Sequence, residues 1–241
     1  MLRALMGAVS SCGPDTCCSS ANAVPVEDVA VAPAGIEPLP AAPPKGASGA
    51  AEDERPPTIV CTATEFVAEI EGRADRLGVT LDCTPQGFVR VNTMSRTGAV
   101  SRYNASAPPE LQIREGDCVV TVNGISEEPT TMMSSIQCRG TVRLEVYRPL
   151  TFIAHGFDKT LGPLGVDVQY SINSTAAYIT SITADGLLQA HNQKHTDLQI
   201  RPGDAIVAVN GKGGKCSNMI KLIGEAEQLD LTVARAREQD C

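Results

Sequence analysis

Beyond residue 58 the chain alternates apolar and polar positions with a period of two. Phe66, Ala68 and Ile70 share one face while Val67 and Glu69 share the other. Val142, Leu144 and Val146 make a second such stripe, and Leu229, Leu231 and Val233 a third. That period belongs to strands half-buried against a core. Gly116-Asp117 and Gly203-Asp204 each stand just before an apolar run, and Asn123-Gly124 and Asn210-Gly211 just after it. Both residues of an Asn-Gly pair tolerate positive φ, so these pairs predict tight turns closing a strand. Downstream of each, the period lengthens: Met133 and Ile136 are three apart, as are Ile220 and Ile223, which predicts a short amphipathic helix. Shorter helical turns are expected over 98–104 and 187–192.

The pattern then repeats. LQIREGDCVVTVNG (111–124) returns as LQIRPGDAIVAVNG (198–211), an offset of 87 residues. The same offset carries RLGVTLDC (76–83) onto PLGVDVQY (163–170) and TVRLEVYR (141–148) onto QLDLTVAR (228–235). Three ungapped blocks at one spacing predict two copies of a single unit, set side by side rather than stacked as a solenoid. The expected division is a tail over 1–57, a first copy over 58–148, a second over 149–237 and a short end over 238–241.

Composition changes the picture at the N-terminus. Residues 1–57 hold no aromatic residue and nine of the sixteen prolines, too little apolar surface to offset the cost of ordering the backbone, so this tail is expected to be disordered. Its stretch from Pro33 to Pro44 reads as an extended linker, with a docking peptide as the alternative. Aromatic residues make up 3% of the whole chain and Trp is absent, which leaves Val, Ile, Leu and Met to form the cores. The net charge of −8, without any dense Lys/Arg cluster, argues against nucleic acid. No apolar run reaches the length of a membrane helix. Nine cysteines, an odd and unevenly spaced set with Cys83, Cys118 and Cys138 in apolar stretches, fit a reduced compartment better than a disulfide framework. A cytoplasmic location, peripheral to a membrane if the tail is acylated, is the corresponding expectation. Read from Met6, the chain opens MGAVSSCG, which fits the N-myristoylation pattern with Gly7 as acceptor and Cys12, Cys17 and Cys18 as sites for palmitate. An intact Met1-Leu2 start would remove that reading.

No catalytic constellation emerges: there is no G-x-S-x-G, P-loop or dinucleotide fingerprint, and the two copies fill the chain beyond the tail. His191 and His195 stand at i and i+4 without a third ligand, and Cys12, Cys17 and Cys18 lack a partner group downstream, so neither metal nor cofactor is expected.

The order of parts resembles the PDZ family: strand, Leu-Gly-Val loop, strand pair, short helix, Gly-Asp–strand–Asn-Gly, amphipathic helix, closing strand. Leu77-Gly78-Val79, Leu164-Gly165-Val166 and the GDCVVTVNG and GDAIVAVNG blocks carry the likeness over roughly 58–237. It implies a mainly β, α+β architecture of two tandem, partly open barrels or sandwiches. It also implies a non-catalytic scaffold that binds C-terminal or internal β-strand peptides by strand addition. Loop amides would receive the carboxylate and a pocket the last side chain. The implied pockets are Leu77, Val79, Leu81, Met133 and Ile136, and Leu164, Val166, Val168, Ile220 and Ile223, with Gly78 and Gly165 in the loops. Arg73 or Arg76, and Lys159 in the second copy, would add charge. Pro129 and Cys216 stand where many members of the family carry a specificity-setting His, and Pro163 lacks an N–H. Gly78→Asp is expected to abolish capture with the fold retained. The alternatives are a regulatory subunit for a protease or other enzyme supplied in trans, and two copies packed together with occluded grooves.

Overall fold

The computed structural model describes residues 3–6, 55–72, 77–126, 128–136, 140–235 and 237. Most of the tail over 1–57 and all of 238–241, together with Gly7, Cys12, Cys17, Cys18, Arg73, Arg76 and Cys138, lie outside the described residues. The architecture is mainly β, with four short helices among the described residues and two open sheets.

In the first sheet β3 (Thr64–Gly72), β4 (Val79–Cys83), β5 (Val89–Met94), β6 (Cys118–Val122) and β7 (Gly140–Arg148) are all antiparallel and lie in the order β3-β7-β6-β5-β4. Helices α1 (Ala99–Ser106) and α2 (Pro129–Ile136) accompany it. The second sheet repeats this plan with β8 (Thr151–Asp158), β9 (Val166–Tyr170), β10 (Ala177–Ile182), β11 (Ala205–Val209) and β13 (Gln228–Ala234), ordered β8-β13-β11-β10-β9. The short β12 (Lys212–Gly213) pairs with β11, and α3 (Leu187–Lys194) and α4 (Cys216–Glu225) take the places of α1 and α2. The offset of 87 residues thus maps β4 onto β9 and β6 onto β11 without a shift.

Two strands break the symmetry. β2 (Thr58–Cys61), assigned by sequence to the first copy, pairs with β8 at the flank of the second sheet. At the opposite flank β1 (Arg3–Met6) runs parallel to β9.

The alternation read from sequence holds at side-chain level. Phe66, Ala68 and Ile70 are buried in the first core, whereas Val67 is exposed. Val142, Leu144 and Val146 join them, and Leu229, Leu231 and Val233 occupy the equivalent places in the second core. The helices differ in one respect: Met132 is the buried residue of α2, and Cys216, Met219 and Ile223 are those of α4, with Met133 and Ile220 one step outward at the rim.

The Gly-Asp and Asn-Gly pairs have physical jobs. Asp117 accepts the Arg114 N–H at 2.8 Å, closing the turn, and takes a two-bonded ion pair from Arg148, with Nε and Nη2 each 2.9 Å from a carboxylate oxygen. Asp204 does likewise with the Arg201 N–H at 3.0 Å and a longer contact, 3.5 Å, to Arg235. Asn123 and Asn210 sit at φ of 52° and 50°, and their side-chain oxygens accept the N–H of Arg143 and Asp230 across the turn. A left-handed Asn that also ties the next hairpin together is the reason Asn rather than Gly precedes each turn glycine.

Candidate functional site

In the first copy the structure brings the expected groove residues together. Leu77, Val79 and Leu81 on and before β4 and Met133 and Ile136 on α2 are all half-buried and pack against the rim of the first core. β4 ends the sheet: among the described residues its one strand neighbour is β5, so its outer edge carries no strand. The loop ahead of it is held by its carbonyls. Gly78 accepts the Ser95 N–H at 2.8 Å, and Leu77 accepts the Val100 N–H of α1 at 3.1 Å. The N–H groups of Leu77 and Gly78 donate to no acceptor among the described residues.

Gly78 has a role the sequence did not reveal. Its φ is +79°, and a Cβ there would lie 2.3 Å from the Thr97 carbonyl oxygen and 3.0 Å from the Gly98 Cα. Glycine is required by this backbone-to-backbone contact whether or not a ligand approaches. The expectation that Gly78→Asp leaves the fold intact is therefore corrected: any side chain at 78 forces the loop away from Thr97 and Gly98.

The second copy differs. Leu164, Val166, Val168 and Ile223 are buried within the second core, and Ile220 alone of the expected five remains at the rim. They fill the core instead of lining an open pocket. Gly165 repeats the glycine contact, with φ of +73° and a would-be Cβ 2.4 Å from the Gly186 Cα. Lys159, expected to attract a carboxylate, spends its ammonium on the C-terminal end of α4, donating to the carbonyls of Ile223 and Gly224. This is the favourable place for a cation at a helix end. The edge of β9 is taken by β1, in register from Arg3 opposite Asp167 to Met6 opposite Tyr170. At the helix starts Pro129 is half-buried and Cys216 fully buried, its thiol pushed up to about 11 by burial and so held protonated.

A polar seam joins the two copies, and sequence reasoning missed it. The Asn92 carboxamide oxygen accepts both the backbone N–H (3.0 Å) and the hydroxyl (2.6 Å) of Thr175, while its amide nitrogen donates to the Asn173 carbonyl at 3.0 Å. Arg90 donates to the Thr175 hydroxyl at 2.9 Å, Gln86 to the Gly203 carbonyl at 2.9 Å, and Arg237 pairs with Glu65 at 3.1 Å. No repeat or motif marks these residues, because the contacts join non-equivalent positions of the two copies.

β2 is fastened by a chain of three side chains. The Thr58 hydroxyl lies 3.1 Å from His155 Nε2, and His155 Nδ1 lies 3.0 Å from Asp230, whose second oxygen accepts the Gly156 N–H. Burial alone would raise the Asp230 carboxyl, but the Gly156 and His155 hydrogen bonds outweigh it and hold the group below the usual carboxylate range. Thr58 is exposed on its strand and lies outside the cavity described below, so the chain of bonds acts as a clasp between β2 and β8.

His191 gives a pH prediction. Its ring is buried between Phe157 (centroids 5.0 Å apart) and His195 (4.5 Å), with neither nitrogen hydrogen-bonded among the described residues. Burial first, then the charges of His195, His155 and Lys194, bring its pKa down to about 4. An unfolded chain takes up this proton near pH 6.5, so acidification from there to about 4 favours unfolding, and above 6.5 the group has no effect. Replacing His191 with Leu should remove on the order of 2 kcal/mol of the stability lost between pH 7 and pH 4.5. Urea titrations at the two pH values check it; an unchanged pH dependence in the variant would contradict this account.

No protein-family model and no curated protein matches the chain. Among solved structures it is similar to INAD PDZ45 in complex with NORPA CC-PBM, at 16% identity and a TM-score of 0.31, covering 73% of this chain and 93% of that one. It is similar also to INAD PDZ45 in complex with NG2 peptide, at 16% identity and a TM-score of 0.30, covering 74% and 91%.

Proposed function

We propose that the chain is a non-catalytic interaction protein of two PDZ-like domains whose first domain captures an extended peptide or protein C-terminus. The observation that carries the reading is the edge of β4, which pairs with no second strand among the described residues, beside a half-buried apolar cleft, with two loop amides at its head that donate to no acceptor among those residues. An added strand satisfies the edge N–H and C=O groups, the apolar rim takes a side chain, and the loop N–H groups receive a carboxylate. The second domain serves as a structural partner, a role supported by its filled pocket and by β1 on its edge.

Screening a library of C-terminal peptides against the full chain tests this, followed by titration of the best binder. Met133→Glu places a charge on the rim of the first groove and should weaken binding by about tenfold or more, since a desolvated charge costs over 1.4 kcal/mol. The equivalent change Ile220→Glu should leave it within about twofold, well below the 1.4 kcal/mol that makes tenfold. Binding lost with Ile220→Glu and kept with Met133→Glu would reverse the assignment, and a screen without binders would end it.

A further inference from the structure

We propose that the seam between the two copies holds a binding site for a small oxyanion, built around Arg90. This site is separate from the β4 groove and does not depend on peptide capture. A cavity of about 430 Å³ opens between the copies, with Arg90, Arg114 and Arg148 of the first facing Thr175, Gly213 and Gly214 of the second. Arg90 is 6% exposed. One of its five N–H groups goes to Thr175, and no carboxylate lies within ion-pair distance of it among the described residues. A buried guanidinium ordinarily has a carboxylate or other anion against it, because desolvating the charge alone is costly.

Nearby acids do not fill that place. Asp117 is already bound by both forks of Arg148, and Glu115 accepts the Met94 N–H at 3.0 Å. Asp82, opposite Arg90 in the β4–β5 register, keeps one carboxylate oxygen buried without any hydrogen bond, so it is not turned onto the guanidinium through that oxygen. Among the cavity-lining side chains three arginines face two carboxylates, a local excess of positive charge in a chain of net charge −8. Gly116 makes the room: a Cβ there would come within 3.3 Å of Arg90 Nη2. Nη2 and Nε of Arg90 make no hydrogen bond among the described residues and stand ready for two oxygens of one ligand, the fork geometry that suits phosphate and carboxylate alike.

The test uses the full chain and inorganic phosphate, with acetate as a second arm and sodium chloride at matched ionic strength as control. Phosphate should raise the melting temperature saturably where chloride does not, as expected of a ligand bound only by the folded state. A response to phosphate but not acetate would assign the site to phosphate groups; a response to both would assign it to small oxyanions in general. Arg90→Gln should weaken binding about tenfold or more, the loss of a charge-assisted bond pair. Should Arg90→Gln fail to fold, Arg114→Gln, at an exposed side chain, should still weaken phosphate by a few-fold. No saturable response in the unaltered chain, or equal affinity in the folded variants, would overturn the proposal.

Discussion

Arg148→Ala is expected to destabilise the protein by about 3–5 kcal/mol, as removal of one member of a buried ion pair does. Arg148 makes two bonds to Asp117, donates to the Glu110 and Gln112 carbonyls at 3.2 and 2.6 Å, and lies over the Phe66 ring at 5.2 Å. Cutting it back leaves Asp117, 2% exposed, as a buried charge without its counter-ion. The second copy supplies an internal comparison. Arg235 also bonds a carbonyl, that of Gln199, and lies over the Phe152 ring at 5.2 Å, but it reaches Asp204 at 3.5 Å, and its Nε is buried without a hydrogen bond among the described residues. Arg235→Ala should therefore cost clearly less than Arg148→Ala. Urea unfolding of the two variants checks the order, and equal losses would show that the bidentate geometry at Arg148 adds nothing.

This pair also shows what the sequence revealed and what it hid. Arg148 and Arg235 stand 87 residues apart at the end of equivalent strands, so the repeat alone marks them as matched positions. Their role was invisible, because a strand-end arginine is normally solvated, and only the fold brings the Gly-Asp turn beneath it. Strand alternation and the 87-residue offset made both sheets legible, since burial on one face imposes a period of two on any such strand. Equivalent residues were expected to line equivalent pockets, yet Leu77, Val79 and Leu81 are half-buried while Leu164, Val166 and Val168 are sealed in the core. Local pattern cannot report which neighbours close over a position. The same reasoning explains why Asn92, Thr175 and Arg90 went unnoticed: a contact between non-equivalent loops and strands leaves no periodic trace.

Gly165→Ala is expected to cost about 3 kcal/mol or more, combining a left-handed conformation worth roughly 1–2 kcal/mol with a clash against backbone. A Cβ at 165 would lie 2.4 Å from the Gly186 Cα and 2.6 Å from the Thr183 hydroxyl, and α3 is tied to the same loop through the Leu188 N–H and the Leu164 carbonyl. Gly124 separates the two contributions. It has φ of +81° but nothing within 4 Å of a would-be Cβ, so Gly124→Ala should show the conformational cost alone. Thermal unfolding of the two alanine variants measures the gap. If both lose the same stability, the close approach of Gly165 to Gly186 carries no energy and the packing argument for the Leu-Gly-Val glycines fails.

Thr58–Cys61 precede the first sheet in the chain yet hydrogen-bond on the flank of the second. The backbone thus lays down a strand on the second sheet before it builds the first. A cut between 148 and 151 places β2 on a different piece from β8, the strand it pairs with. Through this one strand, the boundary of the sequence repeat does not coincide with the boundary between the two sheets.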